Sequence, residues 1–351
     1  MIDPVEISIG SRKVGDGHPC YVIAEAGSNH NRDFGMARRL IDVAAQAGAD
    51  AVKFQTFTGR TLYSRRAKGF RYLEGVSDLS PAALLESLEL PRDWHTDLAD
   101  HSAACGIEFL SSPFDRDAVD QLDALDVAAF KVASFELVDL PLIRYIGERR
   151  RPVILSTGMA TLGEIEDALE AARAGGTDQL AVLQCASVYP APATSMNLRA
   201  ISTLKAAFRL PVGLSDHSLG IHIPVAAVAL GADLLEKHFT LDRTLPGPDH
   251  SFAIQPDELR CLVEQVREVE AALGDGVKAG PTPAEAEEMF AKARRSVVAA
   301  VRIPEGHRIQ REMLTVKRPG FGIKPKFIDA LVGRTATTTI EEDEVITWDM
   351  V

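Results

Sequence analysis

The sequence predicts a (β/α)₈ barrel (TIM barrel) followed by a small β-rich domain, on three observations. Short apolar runs alternate with amphipathic helical stretches eight times between about residues 21 and 273. The apolar runs end in polar residues, whereas their opposite ends are mostly Pro, Gly or Ala. A Gly/Pro-rich segment at 274–283 then precedes several short β-like runs. Alternation indicates a parallel sheet, and eight pairs in about 250 residues is the size of a closed barrel.

The elements follow in order after a short β-hairpin predicted for residues 1–20, with Gly15-Asp16-Gly17 near its turn. The predicted strands are Tyr21–Ala24, Ala51–Phe54, Ile107–Leu110, Ala128–Val132, Pro152–Leu155, Leu180–Leu183, Pro211–Leu214 and Asp233–Leu235. The helical stretches are Phe34–Ala47, Pro81–Cys105, Asp115–Ala124, Leu140–Gly147, Leu162–Ala174, Leu198–Phe208, Ile221–Leu230 and Pro256–Leu273. An open doubly wound sheet is the alternative, but it would usually show a Gly-rich dinucleotide loop after the first strand. The chain has Glu-Ala-Gly-Ser-Asn-His-Asn there.

These patterns divide the chain into a hairpin at 1–20, a barrel at 21–280, a linker at 281–295 and a β-rich domain at 296–351. The linker is charged and helical in character. The predicted runs of the last domain are Val297–Val301, Met313–Val316 and Ala336–Thr339. Because about 55 residues is near the lower limit for independent stability, we expect contacts with a partner subunit to stabilise this domain.

The composition argues against two classes of partner. The net charge is −12, from 38 basic and 50 acidic residues, which disfavours non-specific binding to nucleic acid or to anionic membranes. Neither a signal peptide nor an apolar run of membrane-spanning length is visible. The four cysteines (Cys20, Cys105, Cys185 and Cys261) are far apart and in no metal-ligand spacing, as expected for reduced thiols in a cytoplasmic protein.

The segment from Gly213 to Thr240 carries the most informative pattern. It contains a short strand, a polar turn, a helical run and a second short strand, and both strands end on a histidine. In a βαβ unit the two strands are parallel and end at the same edge, so His217 and His238 should lie side by side. Two imidazoles suit a divalent metal ion. The alternative is two unrelated polar loop residues.

The other strand ends carry groups that suit an anionic substrate. Two lysines and several hydroxyls suit phosphate and carboxylate groups. Glu25 and Glu136 can act as a base or accept a hydrogen bond from a hydroxyl group. These strand-end residues are Glu25, Asn29, His30, Lys53, Gln55, Ser112, Lys131, Ser134, Glu136, Ser156, Ser187, Tyr189, Ser215, Glu236 and Lys237.

Each of these groups also has a structural interpretation. Lys53 or Lys131 could only neutralise a barrel carboxylate, and Ser156 could only cap the next helix. Glu236 could support its neighbours without touching substrate. Asn29 and His30 could orient Glu25 or bind a ligand.

A series of motifs resembles the sialic acid (nonulosonic acid) synthase family in the right order over nearly the whole chain. The C-terminal part resembles the antifreeze-like SAF domain of these synthases, marked by Val316–Gly320. The barrel motifs are Ile23–Asn31, Val52–Gln55, Ser112–Phe114, Phe130–Ser134, Leu155–Met159, Gly213–His217, Glu236–Thr240 and Pro246–His250.

The resemblance implies a phosphoenolpyruvate-dependent condensation with an N-acetylhexosamine such as N-acetylmannosamine, which yields a nonulosonic acid and phosphate. It implies that His217 and His238 hold Mn²⁺, or else Mg²⁺ or Co²⁺, as a Lewis acid for the aldehyde, and that Glu25 is the acid/base group. It also implies a domain-swapped homodimer in which Arg318 reaches the partner's sugar. The implied phosphoenolpyruvate ligands are Lys53, Ser112, Lys131, Ser134, Ser156, Ser187 and Ser215, and the implied sugar ligands are Gln55, Glu136, Tyr189, Asp249 and Arg318.

Some residues depart from the N-acetylneuraminate synthase pattern. Ser112 stands in place of Thr, Ser187 in place of Asn and Phe135 in place of Gly. The segments Ala133–Glu136 and Phe321–Phe327 look more like synthases for pseudaminic or legionaminic acid, which use a 2,4-diacetamido-2,4,6-trideoxyhexose. A bulky phenylalanine suits such a 6-deoxy sugar. The basic segment Arg60–Tyr72 is either a lid over an anionic substrate or a solvated loop.

Two rival functions follow from the same fold. A Schiff-base aldolase or lyase would use Lys53, Lys131 or Lys237. The paired histidines and the polar ring argue against it, because imine chemistry needs no metal. A non-catalytic sugar-binding protein would have no use for Glu25 together with both histidines.

Overall fold

The computed structural model describes residues 5–62, 64 and 81–351. The chain forms two compact units, Met1–Gly274 and Asp275–Val351. No helix within the described residues is both long and apolar enough to cross a membrane. Of the basic segment predicted as a lid or loop, Arg60 lies in a short helix, whereas Arg65, Arg66, Lys68 and Arg71 lie outside the described residues.

A β-hairpin precedes the barrel and seals its floor. Strands β1 (Glu6–Ile9) and β2 (Arg12–Gly15) pair antiparallel, with Ile9 opposite Arg12. The hairpin therefore turns at Gly10, whose φ is +56°, and not near Gly15–Gly17 as the sequence suggested. Its apolar side chains are buried against the inner residues of the barrel strands. That end of the barrel is closed by Ile7, Ile9 and Val14.

Eight parallel strands close into a barrel, which confirms the predicted fold and excludes the open sheet. The barrel closes where the last strand pairs with the first, with Leu235 beside Val22. Seven of the eight strands extend one to three residues further into the polar end than the apolar pattern predicted, and β6 ends at Val132 as predicted. The strands are β3 (Tyr21–Gly27), β4 (Ala51–Thr56), β5 (Glu108–Pro113), β6 (Phe130–Val132), β7 (Val153–Ser156), β8 (Leu180–Cys185), β9 (Val212–Asp216) and β10 (Leu234–His238).

The helices pack outside this barrel, and side-chain caps fix the starts of several of them. Asp33, Asp115 and Asp139 each accept a hydrogen bond from a backbone amide of the helix that follows, and Thr161 forms a capping box with Glu164. The helices are α1 (Phe34–Gln46), α2 (Gly59–Leu62), α3 (Pro81–Leu88), α4 (His95–Cys105), α5 (Arg116–Ala124), α6 (Leu140–Gly147), α7 (Leu162–Gly175), α8 (Ala200–Phe208), α9 (His222–Ala229) and α10 (Pro256–Leu273).

The stretch predicted as one helix over Pro81–Cys105 is broken in two. Helix α3 ends at Leu88 and α4 begins at His95, with a short 3₁₀ turn at Arg92–Trp94 between them. Pro91 explains the break, because a proline lacks the amide proton that a continuous helix needs and disfavours helical geometry in the residue before it.

The barrel interior changes from apolar to polar along its axis. Ile23, Leu110 and Ile154 belong to the apolar inner layer above the hairpin. Two residues further along the same strands come Glu25, Ser112 and Ser156, which face the same side because side chains alternate in a strand. The upper layer of the barrel is therefore polar while it stays buried.

The C-terminal unit is a small β-rich fold around its own apolar core. Strands β11 (Ser296–Ala299) and β12 (Leu314–Lys317) pair antiparallel. The run predicted as a strand at Ala336–Thr339 is instead irregular, flanked by isolated bridges at Thr335 and Ile340. Its amides bond to dispersed carbonyls rather than to one neighbouring strand. The remaining helices are α11 (Pro283–Glu287), α12 (Met289–Ala293) and α13 (Ile328–Leu331).

Candidate active site

The polar layer at the barrel mouth contains most of the residues that the sequence singled out. Glu25, Lys53, Lys131 and Ser156 are each 3% exposed or less. Lone charges at this depth would be unstable, so such groups must be paired or await a ligand. Other buried members of this layer are Ser112, Ser215, His217, Glu236 and His238.

Glu25 lies between a cation and an amide. Its Oε2 is 2.8 Å from Lys53 Nζ, and its Oε1 accepts a 2.8 Å hydrogen bond from Gln55 Nε2. Burial raises the pKa of Glu25, and the nearby Lys53 ammonium partly offsets this shift. A buried carboxyl group with a raised pKa and a lysine beside it suits proton transfer.

Glu236, for which the sequence suggested no more than a supporting role, is the central residue of this layer. One carboxylate oxygen lies 3.6 Å from Lys53 Nζ, the other 3.6 Å from Lys131 Nζ, and Ser215 Oγ donates a 2.8 Å hydrogen bond to it. Although burial opposes it, the two ammonium groups hold the pKa of Glu236 well below its usual range. The sequence signal that could have identified it is its position two residues before His238, which puts both side chains on the same face of the strand.

Hydroxyl groups line the other side of this layer. Ser134 Oγ accepts a 3.0 Å hydrogen bond from the Gly158 amide. Among the described residues, Ser156 Oγ and Ser187 Oγ are buried with no hydrogen-bond partner. A Cβ atom at Gly158 would come within 2.1 Å of Ser187 Oγ, so only glycine leaves this space free. The capping interpretation of Ser156 is wrong, because Thr161 caps α7.

The two histidines lie side by side, as the βαβ pattern predicted. Their ring centroids are 5.3 Å apart. His217 Nδ1 bonds to the Ala186 carbonyl at 2.9 Å, which leaves Nε2 as the free ligand atom. His238 Nδ1 is buried, has no hydrogen-bond partner among the described residues, and lies 3.9 Å from Asp249 Oδ2. Burial holds the pKa of His238 well below its usual value, so this imidazole stays neutral as a metal ligand must.

This donor set fits a divalent ion. Two imidazoles that share one ion at about 2.1 Å bring their ring centres to about 5 Å apart, close to the separation observed. The unpaired Nδ1 of His238 and the Asp249 carboxylate supply further lone pairs next to that position. No site role was predicted from the sequence for Cys185, whose sulfur lies 3.8 Å from His217 Nδ1.

A pocket of about 320 Å³ opens beside the histidines, with one polar wall and one apolar wall. Burial raises the pKa of Glu136 to about 7 and that of Asp249 to about 6. The polar wall comprises Ser28, Gln55, Glu136, Tyr189, His238 and Asp249. The apolar wall comprises Phe57, Leu62, Leu84, Leu85, Leu88, Phe114 and Phe135.

Some candidates lie elsewhere. Lys237 points away from the barrel interior and pairs with buried Asp216 at 2.6 Å, so it is not available as an imine-forming lysine at the mouth. Asn29 donates to the Phe239 carbonyl, and His30 accepts from the Arg32 amide, so both hold the loop after β3. Arg318 belongs to the second compact unit, and its role at the sugar stays a prediction.

Two family models match the chain that carries this geometry. A model of the NeuB family matches residues 40–278, and a model of the SAF domain matches residues 294–351. The chain belongs to the NeuB family. The resemblance inferred from the sequence motifs is thereby confirmed for both parts of the chain.

Relatives of this NeuB-family chain carry several names. It is 43% identical to the N,N'-diacetyllegionaminic acid synthase of Campylobacter jejuni, over 93% of this chain and 98% of that protein. It is 38% identical to a pseudaminic acid synthase of the same species, over 92% and 93% of the two chains. The solved structure of the N-acetylneuraminic acid synthetase from Leptospira borgpetersenii in complex with citrate superimposes with a TM-score of 0.74 at 35% identity, over 82% of this chain and 97% of that one.

Proposed function

We propose that this protein is a nonulosonic acid synthase that condenses phosphoenolpyruvate with an N-acetylated aminosugar and releases phosphate. The observation that carries the proposal is the placement of two buried lysines and unpaired hydroxyls beside a buried histidine pair in one barrel mouth. This arrangement suits an anion and an aldehyde held side by side. The names of the relatives support the same class of reaction.

Phosphoenolpyruvate would occupy the lysine and hydroxyl side. Lys53 and Lys131 supply charge. The Ser156 and Ser187 hydroxyls, which have no hydrogen-bond partner among the described residues, supply donors. Gly158 keeps the space beside them open. Ser112, Ser134 and Ser215 complete this proposed set.

His217 and His238 would hold the divalent ion, Mn²⁺ in the first instance or else Mg²⁺ or Co²⁺. When bound, such an ion supplies Lewis-acid polarisation of the sugar aldehyde. In the reaction, a bond forms between C3 of phosphoenolpyruvate and the aldehyde carbon, water adds at C2, and the C2–O bond to phosphate breaks. Glu25, held by Lys53 and Gln55, exchanges a proton with the attacking water through its carboxylate.

The two walls of the 320 Å³ pocket indicate the class of sugar. Glu136, Asp249 and Gln55 can bond hydroxyl and amide groups. Phe57, Leu84 and Leu88, which line the same pocket, form an apolar cluster. A 2,4-diacetamido-2,4,6-trideoxyhexose presents methyl groups where N-acetylmannosamine presents hydroxyls, so the apolar wall favours the trideoxy sugar as acceptor.

Phosphate release in a panel of acceptors tests the proposal. With phosphoenolpyruvate and Mn²⁺, the diacetamido trideoxyhexoses should show a kcat/KM at least about tenfold above that of N-acetylmannosamine, because a hydrophobic contact is worth about one to two orders of magnitude. Preference for N-acetylmannosamine would overturn the sugar assignment alone. No phosphate release with any acceptor, or borohydride trapping of an imine with pyruvate, would overturn the proposed reaction and favour the aldolase.

We also propose a homodimer in which Arg318 acts on the partner's sugar, on the family resemblance. Its rigid guanidinium suits an acetamido oxygen better than a lysine would. Glu25→Ala and Arg318→Ala should each be inactive, and co-expression should restore activity because one mixed site contains both intact residues. Mixed dimers without activity would contradict the swapped arrangement.

A further inference from the structure

We propose a second metal site, on the outside of the barrel, formed by Asp42, His101 and Cys105 and suited to Zn²⁺. Asp42 lies on α1, and His101 and Cys105 lie one turn apart on α4, the neighbouring outer helix. Asp42 Oδ1 is 2.7 Å from His101 Nε2 and 3.5 Å from Cys105 Sγ, and that sulfur is 3.8 Å from the same histidine nitrogen. One ligand atom from each residue thus lies within 4.8 Å of the other two.

The separations agree with those of a zinc site. Zinc bonds of about 2.0–2.1 Å to nitrogen or oxygen and about 2.3 Å to sulfur place tetrahedral ligand atoms about 3.3–3.6 Å apart. The two distances to Cys105 already lie near these values. Only the Asp42–His101 pair, now a hydrogen bond, must widen by about 0.6 Å.

The donor set favours zinc over the hard cations. A thiolate, an imidazole and a carboxylate together suit Zn²⁺, whereas Mg²⁺ and Mn²⁺ prefer oxygen ligands. All three residues are partly exposed, so an ion can reach them and solvent can fill a fourth position. Cys105 is the last residue of α4, shortly before β5 begins, so the cluster lies toward the end of the barrel opposite the mouth.

Arg38 opposes binding and gives the proposal its sharpest test. Its Nη2 lies 3.1 Å from His101 Nδ1, and since arginine only donates, the proton of the histidine is on Nε2 in this arrangement. Zinc needs Nε2 free, so the histidine must change tautomer and the exposed Arg38 must turn away. The bound ion would then link α1 to α4.

The probe is Co²⁺, which gives a near-ultraviolet charge-transfer band when a thiolate binds it. The full-length protein, stripped with chelator and titrated with Co²⁺, should show this band, and Cys105→Ser should lose it. Cys261→Ser is the matched control, because Cys261 is also a partly buried helical cysteine and its sulfur accepts a hydrogen bond from Gln265 on the same helix. It should keep the band.

Zn²⁺ binding gives an independent measurement. Wild type should bind one more Zn²⁺ per chain than Cys105→Ser, and Asp42→Asn and His101→Gln should weaken that site at least about tenfold. Arg38→Ala should tighten it about two- to tenfold, because a repelling charge and a competing hydrogen bond are removed.

Several results would overturn the proposal. A band that survives in Cys105→Ser would assign the thiolate to another cysteine, such as Cys185 beside His217. Equal zinc stoichiometry in wild type and Cys105→Ser, or weaker binding in Arg38→Ala, would also contradict it. If Cys105→Ser does not fold, His101→Gln replaces it in both measurements.

Discussion

Two ionic networks, each centred on a buried carboxylate, lie at opposite ends of the same barrel, and they differ in how completely they are satisfied. At the floor, Asp50 accepts a 2.7 Å hydrogen bond from the Val22 amide, pairs with Arg267 at 3.1 Å, and also contacts Arg12. Arg267 in turn bonds to the Cys20 carbonyl at 2.8 Å. This network is closed on itself and holds the hairpin, the strands and α10 together.

The mouth network is built from similar groups but stays open. Lys53 and Lys131 share Glu236, yet one oxygen of Glu236 has no hydrogen-bond partner among the described residues. Ser156 Oγ and His238 Nδ1 are also buried and have no hydrogen-bond partner among the described residues. Unsatisfied buried polar atoms are costly, so their accumulation at one end indicates groups kept for a ligand. Burial and ion pairing alone do not distinguish a structural network from a functional one.

The largest effect should come from Glu25. Glu25→Gln keeps the shape of the side chain but removes the proton acceptor, so kcat should fall about 10³-fold. Phosphoenolpyruvate affinity, measured by calorimetry, should stay within about threefold of wild type, since the lysines and serines remain. Turnover close to that of wild type would remove Glu25 from the acid/base role.

Metal removal should come next in magnitude. Chelation should lower activity at least about a hundredfold, and Mn²⁺, Mg²⁺ or Co²⁺ should restore it, because the aldehyde would lose its Lewis acid. His217→Ala should also lose bound Mn²⁺, which metal analysis measures directly, while the barrel still folds. A chelated protein with full activity would contradict the assignment of the histidine pair.

A matched pair of substitutions compares the two networks directly. Glu236→Gln should raise the KM for phosphoenolpyruvate about tenfold or more and should cost less stability than Asp50→Asn. Lys53 would still have Glu25 as its partner. Burial already lowers the pKa of Lys131, so this lysine can lose its proton when its carboxylate partner is gone.

Asp50→Asn should show the reverse. It breaks a satisfied network, so it should cost about 2 kcal/mol of stability and leave kcat and KM near wild type. Denaturant unfolding and steady-state kinetics on both variants measure the contrast. Equal stability losses in the two variants would show that the networks do not differ in the way inferred.

The smallest effect concerns pH. Burial raises the pKa of Glu136 to about 7, so the side chain is neutral below that pH and ionised above it. An ionised carboxylate accepts stronger hydrogen bonds from sugar hydroxyls. The KM for the sugar should therefore fall as pH rises from about 6 to 8. Glu136→Gln should remove this dependence. A KM that varies equally with pH in both proteins would assign the titration to another group.

The barrel could be predicted because its strands and helices are local patterns. Alternation gave the direction and face of each strand, and the order of the elements was enough to place His217 and His238 together. It did not show that Glu236 lies between Lys53 and Lys131, because that depends on side-chain reach across neighbouring strands. Pro91 itself indicated a break in the helix. The helical patterns on both sides of it nevertheless led to the prediction of one continuous helix.

The cluster of Asp42, His101 and Cys105 shows a second limit. Cysteine spacing along the chain revealed no metal motif, because one ligand comes from a different helix, 59 residues from His101 in sequence. Only the packing of α1 against α4 brings the three together. The identity of the sugar is limited in the same way, since its pocket is assembled from segments that are distant in sequence.

The hairpin that seals the floor has a kinetic consequence. With Ile7, Ile9 and Val14 closing one end, the described part of the barrel leaves the opposite end, the mouth, as the way in. The lysines and serines lie deep in it, whereas Phe135 at the sugar pocket is half exposed. If the proposed subsites are correct, phosphoenolpyruvate must enter before the sugar covers it. Steady-state turnover should then follow a compulsory order, and an unreactive sugar analogue should inhibit uncompetitively against phosphoenolpyruvate.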